Sequence, residues 1–212
     1  MSTAALRTAP APALSAPAAE APEPISRLGL PDEASLPPHV KQLYEDFRRQ
    51  YGFVPNWLAA LSINPDTAYR LVAFYRHLFD PARSHLTAVE RELVAVVTSA
   101  ANHCSYCVFN HTQALAAALG DSVRAQRIAQ GYHHVRLSPR EQAIAEVVDR
   151  LTRDATSIGE ADLLRLRNFE FSTEAIAEIL EISAFFNYAN RLTIALSVVP
   201  DDQFFDRPSY AH

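Results

Sequence analysis

The stretch "LTAVERELVAVVTSAANHCSYCVFNHTQALAAALG", Leu86–Gly120, contains two helical patterns separated by the polar pair Asn102–His103. Thr87 is followed three residues later by Glu90, a capping-box pattern that predicts the start of the first helix. Gly120 is typical of the residue that ends a helix. If the chain reverses at Asn102–His103, the two helices lie antiparallel as a hairpin.

The chemically reactive side chains of this stretch are spaced for one shared site. Cys104 and Cys107 are the two cysteines of the chain, and His111 follows four residues after the second. In a helix that begins near Cys104, these three residues fall on one stripe. In a hairpin, Glu92 lies about as far from the turn as His111, whereas one straight helix would hold it about 18 Å from Cys104. We therefore expect a proton relay in which Glu92 orients His111 and His111 deprotonates a thiol.

The position of the cysteines at a helix start favours a reactive thiolate. The positive end of the helix dipole and the free backbone N–H groups stabilise negative charge there. A thiolate attacks a peroxide, and a second thiol then resolves the sulfenic acid as a disulfide. Because His111 is four residues from Cys107, we predict Cys107 as the attacking thiol and Cys104 as the resolving one, although the thioredoxin-type rule would choose Cys104 as the attacker.

The pattern E-x11-C-x-x-C-x3-H, from Glu92 to His111, resembles the signature of the alkylhydroperoxidase D-like superfamily, which includes the carboxymuconolactone decarboxylase family. Two further segments resemble the subgroup of peroxidase-related enzymes: "GFVPNWLAAL", Gly52–Leu61, and "FFNYANRLTIAL", Phe185–Leu196. The resemblance extends from about Ile25 to the end of the chain.

This resemblance implies an all-helical, oligomeric fold with the site inside a helical bundle. It implies reduction of organic hydroperoxides or hydrogen peroxide, with the disulfide re-reduced by a thiol or dithiol donor, a lipoyl-type dithiol being the family expectation. The family roles map onto Cys107 as peroxidatic thiol, Cys104 as resolving thiol and Glu92 with His111 as relay, with no cofactor. One position departs from the family: Tyr106 stands where the best-known members carry a histidine. Tyrosine is a poor base at neutral pH, but it is able to donate a hydrogen bond.

The remainder of the chain favours an all-α fold in one domain. Apolar residues recur at helical spacing after the tail, glycine is scarce, and no strand alternation is present. Residues 1–24 are rich in alanine and proline and nearly free of large apolar side chains, which predicts a flexible tail. We expect residues 25–212 to form a single all-helical domain, with Trp57 as a core anchor.

Charge and hydropathy exclude several classes of protein. A net charge of −5 without a basic cluster argues against nucleic-acid binding. No apolar run has the length needed to cross a bilayer, so we expect no membrane association. Two closely spaced cysteines fit a reducing compartment, and we predict a cytoplasmic protein. The resemblance implies that it is a homo-oligomer.

Two other interpretations of the motif stay open at the level of sequence. Cys104, Cys107, His111 and either Glu92 or His103 would supply four ligands for zinc. A non-catalytic helical interaction protein would keep the motif as a relic, since a buried cysteine is often only a small apolar residue. A ring-opening decarboxylase is the third alternative, but that branch of the superfamily typically does without the cysteine pair.

Overall fold

Ten α-helices make up most of residues 24–205, the part of the chain that the computed structural model describes. Three short 3₁₀ turns, Glu33–Ser35, Tyr132–His134 and Ala155–Ser157, connect them, and no strand occurs in that range. The all-α prediction is confirmed. The helices are α1 (Pro38–Tyr51), α2 (Asn56–Leu61), α3 (Pro65–Leu78), α4 (Ala88–Ala101), α5 (Ser105–Leu119), α6 (Ser122–Gly131), α7 (Pro139–Arg153), α8 (Glu160–Asn168), α9 (Thr173–Leu196) and α10 (Asp202–Phe205).

Helix α4 is the central element of the bundle. Every residue from Glu90 to Ser99 is buried, and the helix packs against α5, α6, α7 and α9. The predicted capping box is present, because Thr87 accepts a hydrogen bond from the Glu90 N–H and Glu90 accepts one from the Thr87 N–H. A cap of this kind stabilises a helix by about 1 kcal/mol. A helix that is buried on all sides is a core element, and α4 carries Glu92 within that core.

The turn between α4 and α5 reverses the chain as the hairpin hypothesis requires. Asn102 caps α4, and His103 adopts a left-handed conformation with φ of 58°. The Cys104 N–H donates to the Ser99 carbonyl and the His103 N–H to the Ala100 carbonyl, the two bonds of a Schellman motif. Histidine is among the residues enriched in left-handed geometry. The second helix begins at Ser105, with Cys104 as its N-cap.

The sequence pattern predicts that α9 ends at Pro200, but the helix ends four residues earlier, at Leu196. Ser197 has a φ of 52°, and the Val198 N–H donates to the Thr193 carbonyl. The chain therefore turns back, and Asp201 lies buried beside α2 and α5.

Three further predictions concern the N-terminal tail, membrane-spanning helices and the oligomeric state. The predicted flexible tail, residues 1–24, lies outside the described residues except for Pro24. Between residues 24 and 205, no helix has the length and apolar character needed to cross a membrane. The predicted homo-oligomer stays a prediction.

Candidate active site

The helical hairpin brings together the two residues of the predicted relay, which lie 19 positions apart in the sequence. Nδ1 of His111 lies 2.8 Å from Oε2 of Glu92, with side-chain exposures of 15% and 11%. The ring of Phe186 packs edge-on against the imidazole, 4.6 Å between centroids. With Nδ1–H donated to Glu92, the other ring nitrogen, Nε2, is the one able to accept a proton.

Cys104 and Cys107 lie close enough to share one hydrogen bond. Their Sγ atoms are 3.0 Å apart, both thiols are free, and their exposed fractions are 1% and 7%. While both are protonated, either thiol is able to donate. Cys107 is the third residue of α5 and therefore sits in the first helical turn, as predicted.

When the two thiols lose one proton between them, the negative charge lies mainly on Cys104. The hydrogen bond from Cys107 holds the pKa of the Cys104 thiol below its ordinary value, against the effect of burial. That same hydrogen bond, together with burial, raises the pKa of Cys107 well above its ordinary value. The two thiols therefore titrate as a pair, with the first negative charge on Cys104 and the remaining proton on Cys107. The helix start alone favours a thiolate at Cys107, but the neighbouring thiol is the stronger influence.

A cavity of about 480 Å³ opens onto this site and distinguishes the two sulfurs by access. Cys107 and His111 line it, whereas Cys104 does not. Trp57 also lines the cavity, and it is half-buried and packs against the hydrophobic core. A molecule in the cavity meets Cys107 first, and Cys104 lies behind it.

Tyr106, between the two cysteines, is a structural hydrogen-bond donor at the position where the resemblance predicts a histidine. Its hydroxyl donates to Oδ2 of Asp201 at 2.5 Å, and the Trp57 N–H donates to the same hydroxyl at 3.4 Å. Burial raises the pKa of Tyr106 well above its ordinary value, so the hydroxyl stays protonated. The other oxygen of Asp201 accepts the Asn56 N–H at 2.7 Å. Tyr106 thus fastens the beginning of α5 to α2 and to the segment after α9.

Two side chains of α9, Asn190 and Thr193, contact the thiols and were missed by sequence reasoning. Asn190 is fully buried, donates to Oγ of Ser99 at 3.2 Å and accepts from the Asn102 amide at 3.0 Å. Hydrogen bonding to Asn190 stabilises the thiolate of both cysteines and so lowers their pKa, and Thr193 does the same for Cys107. At Cys107 the hydrogen bond with Cys104 and the burial are stronger, and they raise its pKa. The sequence carries only a weak signal for them, because polar residues such as Asn190 and Thr193 in an apolar helical stretch equally fit a buried structural network.

The zinc hypothesis finds no support in the arrangement of side chains. Within residues 24–205, no three His, Cys, Asp or Glu side chains are grouped to hold a metal ion. His103, one of the proposed ligands, is exposed on the turn. Thiolates bound to one tetrahedral zinc lie about 3.8 Å apart, farther than these two sulfurs.

Comparison with known proteins agrees with the geometry of the site. Residues 65–150 match the profile of the carboxymuconolactone decarboxylase family. The crystal structure of an alkylhydroperoxidase AhpD core, an uncharacterized peroxidase-related protein from Ralstonia eutropha, is 33% identical, with a TM-score of 0.80. The similarity covers 87% of this chain and 96% of that one.

The chain belongs to the alkylhydroperoxidase D-like and carboxymuconolactone decarboxylase superfamily. A second member of this superfamily with a solved structure, an uncharacterized peroxidase-related protein from a Silicibacter species, is 29% identical, with a TM-score of 0.80. That similarity covers 90% of this chain and 99% of the other. The debrominase Bmp8 shares the fold at 16% identity and a TM-score of 0.67, over 85% of this chain and 94% of its own. No functionally curated protein sequence matches the chain.

Proposed function

We propose that this member of the superfamily is a thiol-dependent peroxidase that reduces organic hydroperoxides or hydrogen peroxide through the Cys104–Cys107 couple. The observation that carries the proposal is the meeting, at one cavity, of two thiols 3.0 Å apart and a histidine–carboxylate pair 2.8 Å apart. The 33% identity to a peroxidase-related protein supports the same reaction class.

The first step is attack by Cys107. Its proton passes to Nε2 of His111, and the Glu92 carboxylate stabilises the imidazolium that results. The thiolate attacks the terminal oxygen of the hydroperoxide, so that an S–O bond forms and the O–O bond breaks. The departing alkoxide takes the proton from His111 and leaves as an alcohol, and Cys107 becomes a sulfenic acid.

The second step closes the disulfide. The Cys104 thiolate attacks the Cys107 sulfur, an S–S bond forms, and the S–O bond breaks to release hydroxide, which takes a proton and becomes water. The low pKa of Cys104 supports this role, because the resolving thiol is already ionised when the sulfenic acid appears. An external thiol or dithiol donor then reduces the disulfide by exchange.

The assignment of roles rests on access rather than on acidity. Cys104 is the more acidic thiol, but Cys107 is the one that lines the cavity. A peroxide bound there reaches Cys107 without moving the protein.

Peroxide consumption with a small dithiol reductant tests the proposal in the wild type, Cys107→Ser and Cys104→Ser. We expect Cys107→Ser to be inactive, because it lacks the attacking sulfur. Without reductant, Cys104→Ser is expected to form one equivalent of sulfenic acid, trapped with a dimedone reagent, and no disulfide within the chain. Equal activity in all three proteins would refute the assignment.

A control variant tests whether His103, the other histidine close to the cysteines in sequence, takes part in the relay. His103→Asn removes the exposed histidine of the turn, and asparagine tolerates the same left-handed backbone conformation. We expect this variant to retain wild-type turnover. Loss of turnover in His103→Asn, with the fold intact, would contradict the placement of the relay at His111.

A further inference from the structure

The cavity in front of Cys107 has apolar walls and the size of a ligand site. Its walls are largely aromatic and come from α1, α2, α3 and α9: Phe47, Tyr51, Trp57, Tyr75, Phe185 and Phe186. Its volume, about 480 Å³, lies in the range that encloses small organic molecules. Hydrogen peroxide would leave most of this space and of this apolar surface unused.

One charged group interrupts the apolar lining. Of the cavity-lining side chains in residues 24–205, Arg76 is the one that carries a full charge at neutral pH, and none is acidic. Arg76 is 51% exposed, and its guanidinium lies 5.9 Å from the ring centroid of Phe47. These contacts place a cation where the cavity meets solvent.

The charge of Arg76 is only partly balanced by the protein. Its nearest carboxylate, Oδ2 of Asp46, is 3.9 Å away. Asp46 also binds the guanidinium of Arg49 closely and accepts a hydrogen bond from Gln42 at 3.0 Å. Two cations therefore share one anion, which leaves a net positive charge at the cavity, and Asp46 is not among the lining residues.

From this geometry we infer that the preferred substrate is a hydroperoxide with a compact apolar or aromatic body and a carboxylate, which Arg76 binds. The inference rests on the proposed peroxidase function and names its substrate class. The apolar body displaces water from the aromatic walls, and the guanidinium presents paired N–H donors that match a carboxylate. The O–O bond is reduced at Cys107 by the steps given above, to an alcohol and water.

A matched pair of substrates isolates the contribution of the charge. The probes are 4-(2-hydroperoxypropan-2-yl)benzoic acid and its methyl ester, which differ in charge but carry the same reacting group. At low ionic strength we expect the wild type to have a KM about fivefold lower for the acid, the scale of a half-exposed ion pair. The preference should shrink as salt is added.

Variants on a single helix provide the test and its control. Arg76→Gln should raise the KM for the acid to that for the ester and so remove the preference for the acid. Arg70→Gln makes the same charge change on α3 at an exposed residue that does not line the cavity, and it should keep the preference. An equal KM for acid and ester in the wild type would overturn the inference. An equal loss of the preference for the acid in Arg76→Gln and Arg70→Gln would also overturn it.

A binding measurement separates this inference from the proposed function. Trp57 is the single tryptophan of the chain and lines the cavity, so its fluorescence reports occupancy. The probes are the corresponding unreactive alcohols, 4-(2-hydroxypropan-2-yl)benzoic acid and its methyl ester. Tighter binding of the acid to wild type but not to Arg76→Gln supports the anion site, even if no hydroperoxide is turned over and the peroxidase proposal fails. Equal binding of both alcohols to wild type refutes the anion site, even if peroxidase activity is found.

Discussion

At the scale of single residues, Cys104 and Cys107 divide between them the two properties that a peroxidatic thiol needs. Cys104 has the lowered pKa, because the neighbouring thiol donates a hydrogen bond to its thiolate. Cys107 has the access, because it lines the cavity. Separation of acidity from access keeps the more stable negative charge on the thiol that does not line the cavity.

Removal of either sulfur should move the titration of the other in a predictable direction. In Cys107→Ala, Cys104 loses its principal hydrogen-bond donor, so its pKa should rise. In Cys104→Ala, Cys107 loses the bond that retains its proton, so its pKa should fall. The pH dependence of thiolate ultraviolet absorbance measures both shifts.

A neighbouring exposed residue supplies the control for these titrations. Ser105→Ala lies between the cysteines in sequence but is exposed, and it should leave the thiolate titration unchanged. If each remaining thiol titrates in the single variants as it does in the wild type, the sulfurs are not coupled.

The sequence predicted that the helical hairpin brings four side chains together, but it did not predict what surrounds them. Glu92, Cys104, Cys107 and His111 belong to one hairpin, and the local periodicity of two helices is sufficient to place them on facing sides. Asn190 reaches the same thiols from α9, about 85 residues away, and that contact depends on tertiary packing rather than on local pattern.

At the scale of helices, the site depends on how the beginning of α5 is held. The Schellman turn fixes the direction in which the chain leaves α4, and Tyr106 binds Asp201 from the segment beyond α9. The turn was predictable from the polar pair Asn102–His103. The bond to Asp201 was not, because a single acidic residue near a proline carries no signal of its distant partner.

Asp201 should give the protein a component of stability that depends on pH. Burial raises its pKa above the ordinary value, so folding favours the protonated carboxyl. This stabilisation is complete below the pKa of the unfolded chain, about 3.9, and is lost as pH rises through the higher folded value. In Asp201→Asn the amide does not titrate, so the difference in unfolding free energy from wild type should change in that acidic window and level off above it.

Urea unfolding over a series of pH values measures this difference. Glu181→Gln is the control, because it removes an exposed carboxyl that is not among the groups that shift the pKa of Asp201. A difference between wild type and Asp201→Asn that is constant with pH would show that Asp201 titrates as it does in the unfolded chain. Tyr106→Phe leaves a buried carboxylate oxygen without its hydroxyl donor, and we expect a loss of about 1–3 kcal/mol in unfolding free energy at neutral pH.

At the scale of the whole molecule, the bundle places a reactive hairpin against a cavity that its other helices complete. Helix α4 is buried on all sides, so Glu92 is held in the core, and α5 carries Cys107 and His111 to the cavity. The all-α class followed from the periodicity of the sequence. The cavity did not, since its walls come from α1, α2, α3, α5 and α9, and each aromatic residue alone is equally typical of a core.

The central claim is that Cys104 and Cys107 are a redox couple served by Glu92 and His111. Mass spectrometry after a single addition of one equivalent of hydroperoxide, without reductant, tests it most directly. The predicted result is loss of two hydrogen atoms from the intact chain and a peptide in which Cys104 is joined to Cys107, formed more slowly in Glu92→Gln at equal fold stability. Folded wild-type protein whose two thiols stay reduced while the hydroperoxide persists would contradict the account.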